Sequence, residues 1–414
     1  MGHSRQRRLT LEVNGRQYCW PRDPVVVVCL DGSSFDYLFH AVASGAAPFL
    51  GSLMKRGFVR TAESAMPSFT NPNNVSIVTG VPPSGHGITG NFFFDCKTNR
   101  AVMMNDPSFL RTQTILAAFA RAGAKVAVVT AKAKLRLLLG AGLNGSCFSV
   151  EEQGHPIYSS QLSEHVLKSG VELIRSTAPD IMYLSTSDYI QHSFPPESTE
   201  ANRFYAVVDE QLSNLDGLGA TVIITADHGM SAKADAEGRP RILFLQESLD
   251  GWFGGGSTRV ILPITDPYVA HHGSLGSFAC IYLRDRSNTS EAVRRLRALP
   301  GVDLVLEHDS ACQEFQLPED RTADVVVCSD GETALGTHPH EHDLSLLRHP
   351  LRSHGGLAER EVPMLFNRLM VLPNSFPRLR NYDAFWIGLN CTDDAQMLAS
   401  TSDTTNEERW NFKI

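Results

Sequence analysis

Apolar residues in this chain gather in short unbroken runs. Val25-Val26-Val27-Val28-Cys29-Leu30 is the clearest, and it stops at Asp31-Gly32. Similar runs lie at Lys125–Thr130, Ile181–Leu184 and Thr221–Thr225. Continuous runs of this length suit strands buried on both faces of a parallel sheet. Between them are stretches of helical character, such as Thr114–Ala122 and Ser160–Ile174. The alternation predicts an α/β fold with a doubly wound core sheet.

Near Ala236 the pattern changes. Phe278–Leu283, Ser290–Ala298, Val302–Glu307 and Asp324–Cys328 read strand, helix, strand, strand. This predicts a smaller α+β cap domain, residues 236–344, inserted into a core of residues 24–235 and 345–372. Ahead of the core, Asn14-Gly15 between two β-prone runs predicts a hairpin within residues 1–23. Residues 373–414 read as a C-terminal extension, disordered over the polar stretch Ser400–Arg409.

Composition narrows the function classes. With 414 residues, 42% of them hydrophobic, the chain can bury a full core. A formal net charge of −8 spread over both halves leaves no broad basic field for nucleic acid or an anionic membrane. The expected partner is a small anion captured locally, and a homodimer is compatible with the sequence. Eight cysteines without CxxC spacing read as reduced thiols. Met1–Leu9 is polar and basic, without the apolar stretch of a signal sequence, so the cytoplasm is the expected compartment.

The chemistry lies where the runs end. Asp31, Asp188 and Asp227 each follow an apolar strand, and ligands of open α/β sheets bind outside the carboxyl ends of strands. Asp188 and His192 stand at i and i+4, on one face of a helix, where both can hold one metal. Asp227-His228 offers both ligand types in a turn, and His354 lies in Ser353-His354-Gly355-Gly356, whose glycines would let backbone approach a ligand. Each pair alone reads equally well as a surface neighbour or a helix cap. Three carboxylates and three imidazoles together are enough protein ligands for two divalent ions. Thr70 is the candidate nucleophile: Pro72 suits a first helical turn, which puts Thr70 and Asn71 at a helix N-terminus favourable to phosphate, or merely at a cap. Asn91 ends the glycine-rich turn Gly85–Asn91 and could donate to a phosphoryl oxygen.

With these residues in place, the sequence resembles the alkaline phosphatase superfamily and, within it, the phosphonoacetate hydrolases. The segments Pro67–Asn74, Thr79–Asn91, Val128–Arg136, Tyr183–His192, Thr225–Met230, Asp266–Ala279 and Pro350–Pro363 carry the likeness, which spans Pro24 to Arg368. The connection Glu151–Ser159 looks shorter than in that family, and nothing after Arg368 matches it. The resemblance implies an alkaline-phosphatase-like core and two zinc ions. One would be held by Asp31, Thr70, Asp227 and His228, the other by Asp188, His192 and His354. It also implies that Asn91 binds the phosphoryl group and that Lys132 and Lys134 bind the substrate carboxylate. The implied reaction is cleavage of the P–C bond of phosphonoacetate to acetate and phosphate, through a phosphothreonine.

Lys132 and Lys134, read without the resemblance, are ordinary solvated lysines. In an extended segment after Thr130 they would point the same way, toward one space. His271 and His272 read equally as lining of the site's mouth or as structural residues. Three alternatives accompany the hydrolase reading: a phosphodiesterase or phosphomonoesterase of the same superfamily, a phosphosugar mutase, and an inactive metal-stabilised binding protein. A sulfatase is disfavoured, because Thr70-Asn71-Pro72-Asn73-Asn74 lacks both the convertible residue and the arginine of that signature.

Overall fold

The computed structural model describes residues 9–145, 147–156, 158–265, 273–345, 347–373, 376 and 378–392. The four apolar runs form the strands Val25–Cys29, Val126–Thr130, Ile181–Ser185 and Thr221–Thr225, buried at every residue. They make the middle of a seven-stranded sheet, in the order Phe58–Glu63, Glu361–Phe366, Thr221–Thr225, Val25–Cys29, Ile181–Ser185, Val126–Thr130, Cys147–Ser149. Neighbours run parallel from Thr221–Thr225 to Cys147–Ser149, while Glu361–Phe366 is antiparallel to both strands beside it. The antiparallel edge escaped the sequence reading, since Phe58–Glu63 carries polar residues and Glu361–Phe366 contains a proline.

Side-chain alternation divides the core between two faces. Val25, Val27, Val128 and Tyr183 pack on one face with Ile77, Ile115 and Phe119. Val26, Val28, Val129 and Leu184 pack on the other with Leu38, Val166 and Leu212, from the helices Phe35–Ala43, Ser160–Ser176 and Thr199–Gly217. Because both faces are covered, each strand must be apolar throughout, which is why the runs were legible.

The inserted segment builds a four-stranded antiparallel sheet, Thr258–Ile261, Phe278–Leu283, Val325–Ser329 and Val302–Glu307. The helices Leu245–Phe253, Thr289–Leu296 and His308–Phe315 bury Leu249, Leu296 and Phe315 in its core. At its root, Ser231–Ala232 pairs antiparallel with Arg352–Ser353. The chain therefore leaves the core and returns to it at one place.

The N-terminal hairpin pairs Thr10–Val13 with Arg16–Cys19, and Asn14 and Gly15 both take positive φ at its two-residue turn. The C-terminal segment is more than an extension. Its helix Ala384–Asn390 buries Phe385, Ile387 and Leu389 on the sheet, and Asn390 bonds Cys19 N–H and Gln17 O of the hairpin. Ser400–Arg409, His271 and His272 lie outside the described residues. All eight cysteines are free thiols. No single helix among the described residues is long and apolar enough to cross a membrane.

If the C-terminal helix is part of the core, Phe385→Ala will cost about 3–5 kcal/mol in urea denaturation. Leu9→Ala, at a 63% exposed position, will change stability by less than about 0.5 kcal/mol. Equal small effects would return the segment to the status of an appendage.

Candidate active site

The parallel strands end flush. Thr225 is paired with Cys29, Cys29 with Ser185, and Ser185 with Thr130. Asp31, Asp227 and Lys132 each stand two residues past these positions, and Asp188 stands three past. A level sheet edge thus turns four separate sequence positions into one crevice. Two triads form there, Asp31/Asp227/His228 and Asp188/His192/His354, all buried, with the potential ligand atoms of each lying within 4.8 Å of one another. Asp188 is the N-cap of the short helix Tyr189–Ser193, and its Oδ2 is 3.1 Å from His192 Nε2, as the i, i+4 spacing predicts.

Hydrogen bonds set the imidazole orientations. Nδ1 of His228 donates to Gly229 O at 2.9 Å, that of His192 to Arg352 O at 2.7 Å, and that of His354 to Ser68 O at 2.8 Å. A carbonyl only accepts, so Nδ1 carries a proton in each ring and Nε2 is the atom turned toward the carboxylates, the arrangement of metal-ligating histidines. His228 Nε2 faces Asp31 Oδ1 at 3.3 Å and Asp227 Oδ2 at 3.7 Å. Asp31 Oδ1 is buried without a hydrogen-bond donor among the described residues.

Such convergence of lone pairs calls for positive charge. Burial raises the Asp227 carboxyl far above its usual range, and the neighbouring Asp31 raises it further. Burial lowers His228, but the carboxylates of Asp227 and Asp31 outweigh it and raise that imidazole to about 9, so that a proton on Nε2 stands in for the positive charge a metal would bring to the same atom. His354 is driven well below the ordinary histidine value by burial and by repulsion from His228 and His192, so it is neutral. The donor set fits two divalent cations, with chemistry that does not select one metal.

Thr70 opens the buried helix Thr70–Thr79, and its Oγ1 lies 3.3 Å from His228 Nε2. Phe69 is the N-cap and no side chain caps this helix, so the merely capping reading of Thr70 or Asn71 does not hold. Sequence reasoning missed the two asparagines behind Thr70. Asn73 bonds the Ala65, Pro67 and Phe69 carbonyls and accepts from Ala65 N–H, holding the approach to the helix. Asn74 donates to Asp227 Oδ2 at 3.0 Å and to Thr70 O at 3.0 Å, and accepts from Tyr183 and Ser185. The available signal was Asn74 at i+4 from Thr70, on the same face of the helix.

Lys132 and Lys134 are placed otherwise than an extended segment would place them. The strand stops at Thr130 and a helix of strong formers, Ala133–Leu139, begins with Lys132 as N-cap and Lys134 in its first turn. The two side chains therefore do not share a face by β alternation. Lys132 Nζ bridges the triads, 3.1 Å from Asp31 Oδ2 and 2.9 Å from Asp188 Oδ1, and those carboxylates raise its pKa further than burial lowers it.

His354 arrives through the root of the insertion, since Arg352–Ser353 pairs with Ser231–Ala232 just after His228. The rings of His228 and His354 then lie parallel with centroids 3.5 Å apart. Gly355 sits at φ 121, and a Cβ there would fall 2.3 Å from the Phe69 ring. The glycine thus admits Phe69, not a ligand as the sequence suggested.

Two crystal structures of phosphonoacetate hydrolase from Sinorhizobium meliloti 1021, in complex with phosphonoformate and with phosphonoacetate, are 51% identical to this chain. Each match covers 93% of this chain and 99% of that one, with a TM-score of 0.88. The family model for type I phosphodiesterase / nucleotide pyrophosphatase matches residues 25–357. The chain belongs to the phosphonoacetate hydrolase family. An uncharacterised pyrophosphatase/phosphodiesterase of Schizosaccharomyces pombe is 28% identical over 51% of this chain, and the match spans 45% of that protein, under half its length. Murine ectonucleotide pyrophosphatase/phosphodiesterase 5, at 20% identity and a TM-score of 0.63, shares the fold.

In this family member, the turn leading to Asn91 is anchored by a buried histidine. His86 Nδ1 accepts from Ile88 N–H at 3.1 Å, and Nε2 therefore donates to Ser76 Oγ at 2.8 Å. Burial, with the Arg321 charge, lowers its pKa to about 3. Its folded value lies below the unfolded one, so its contribution to stability is complete above about pH 6.5 and is lost as pH falls toward 3. Across that window His86→Gln will flatten the stability-against-pH curve by up to about 1.4 kcal/mol per pH unit. Parallel curves for parent and variant would show that His86 takes up its proton as readily in the fold as in the unfolded chain.

Proposed function

We propose that the chain is a zinc-dependent phosphonoacetate hydrolase that cleaves the P–C bond through a phosphothreonine on Thr70. The observation that carries this reading is a pair of buried Asp/His triads, one of which reaches Thr70 Oγ1 through His228, in a chain 51% identical to a phosphonoacetate hydrolase along almost all of both lengths. In this reading Asp31, Asp227, His228 and Thr70 hold one ion, and Asp188, His192 and His354 hold the other. Bound there, the ions supply positive charge that lowers the pKa of the Thr70 hydroxyl and neutralises phosphoryl oxygens.

The chain's own groups do the rest. Thr70 Oγ1 attacks phosphorus in line, from the positive end of a ten-residue helix. Asn91 Oδ1 already accepts from Asn71 N–H at 3.3 Å, so its amide NH2 is the end left to donate to a phosphoryl oxygen. Asn74 keeps Asp227 and the Thr70 backbone in register throughout. As the P–C bond breaks, its electron pair passes to carbon and delocalises into the adjacent carboxylate. Lys132 and Lys134 stabilise that developing charge. The carbon takes up, by way of solvent, the equivalent of the proton that Thr70 gave up, yielding acetate; water then attacks the phosphothreonine, the P–Oγ1 bond breaks, and a proton of that water restores the Thr70 hydroxyl as phosphate leaves.

Phosphate release from phosphonoacetate, phosphonopyruvate and 4-nitrophenyl phosphate, measured side by side with elemental analysis, tests the reading. Preference for the carboxylate-bearing phosphonate and about two zinc per chain are expected. Preference for 4-nitrophenyl phosphate would instead support a phosphomonoesterase of the same superfamily. Thr70→Ala will lower kcat by several orders of magnitude while Asp188, His192 and His354 retain their ion, and Thr70→Ser will keep part of the activity. Near-parental turnover in the alanine variant would remove Thr70 as the nucleophile.

The lysines provide a second test. Lys134→Ala will reduce kcat/KM for phosphonoacetate by about thirty-fold to several thousand-fold, the equivalent of roughly 2–5 kcal/mol, and leave an aryl phosphate nearly unaffected. Lys132→Ala will also alter metal content, because its ammonium touches a carboxylate of each triad. Equal losses on both substrates in the Lys134 variant would point to a role in holding the fold or the phosphoryl group.

A further inference from the structure

Lys233 and Glu359 form an ion pair with both side chains at 0% exposure, and neither has a part in the chemistry above. The ammonium is fully committed. It donates to Glu359 Oε1 at 3.0 Å, Gly331 O at 2.9 Å and Asp330 O at 3.2 Å. Glu359 Oε2 accepts from Gly356 N–H at 3.0 Å, and Glu359 O accepts from Gly229 N–H at 2.7 Å. As a source of stability such a pair is a poor choice, since apolar side chains of similar volume often do as well or better. What it offers is fixed geometry between the groups it joins.

Those groups carry the site. Gly229 follows His228, whose Nδ1 it fixes through its own carbonyl. Gly356 closes the turn that begins at His354, and Asp330-Gly331 belongs to the inserted domain. From the turn the chain of contacts runs on to the nucleophile. Ser68 Oγ donates to Gly356 O at 2.5 Å, Ser68 N–H donates to Gly355 O at 3.2 Å, and Ser68 O accepts from His354 Nδ1. Ser68 lies two residues before Thr70.

We propose that Lys233 and Glu359 are positioning residues, which set the separation of His228, His354 and Thr70 from outside the site. The proposal rests on the hydrolase reading for its activity measurement alone. Lys233→Met/Glu359→Gln removes both charges at nearly constant volume and leaves neither partner buried alone. This variant will unfold cooperatively, but its kcat will fall by about 10- to 100-fold, the usual consequence of losing groups behind metal ligands. KM will stay within about two-fold of the parent, because substrate contacts are untouched. Loaded with Co2+, it will show a visible absorption spectrum shifted from that of the parent.

A double variant with parental kcat and a parental Co2+ spectrum would overturn the proposal. So would a loss of kcat that merely tracks a loss of folded protein. Should the double variant not fold, Glu359→Gln keeps an oxygen for Lys233 and replaces the acceptor at Gly356. The same two measurements then decide. If the parent itself releases no phosphate from phosphonoacetate, the hydrolase reading fails and the Co2+ spectra still settle the positioning role.

Discussion

Asp31, Asp188 and Asp227 are at most 4% exposed and share one crevice, and buried carboxylates so placed repel one another strongly unless cations stand among them. The surrounding structure answers that constraint. Lys132 bridges Asp31 and Asp188, Asn74 and two backbone N–H groups bond Asp227, and each histidine spends its Nδ1 proton on a backbone carbonyl, leaving Nε2 for the site. The remaining negative charge is what two divalent cations would neutralise. Function and electrostatic balance therefore make the same demand on these residues.

The scaffold meets that demand by level strand ends. A parallel sheet with a one-residue change of register would send Asp31 or Asp227 to the other face, so the uninterrupted apolar runs also protect the site. The insertion adds what the core sheet lacks. His354 reaches the triads because the chain returns from the inserted domain beside the strand by which it left, and the Lys233–Glu359 pair spans that same root. Domain packing and ligand geometry are consequently coupled: what shifts the inserted domain also moves the imidazole that completes the second triad.

This arrangement explains why the site tolerates so little freedom. Thr70 is backed by Phe69, whose ring occupies the space that a side chain at Gly355 would need. The loop before it is tied by Asn73, and Asn73 is in turn bonded by Asn381, just before the C-terminal helix. Preorganisation of this kind is what electrostatic catalysis requires, because groups already in place need no rearrangement when charge develops.

The sequence by itself determined the buried strands, the ligand types at their ends, the i, i+4 pair Asp188/His192 and the start of the Thr70 helix. Each is a local property: periodicity records burial, and short spacings fix which side chains share a face. The grouping of the two triads was implied only by the family resemblance, and it is the tertiary structure that brings such distant residues together, as with Thr70 and His228, 158 residues apart. It placed the Lys132 ammonium between the Asp31 and Asp188 carboxylates, where the strand gives way to the helix that begins at Ala133. It made the helix Ala384–Asn390 part of the core, although a short apolar stretch in a polar tail carries no local sign of what it packs against. Contacts of that range depend on strand register and domain closure, which single-residue preferences do not encode.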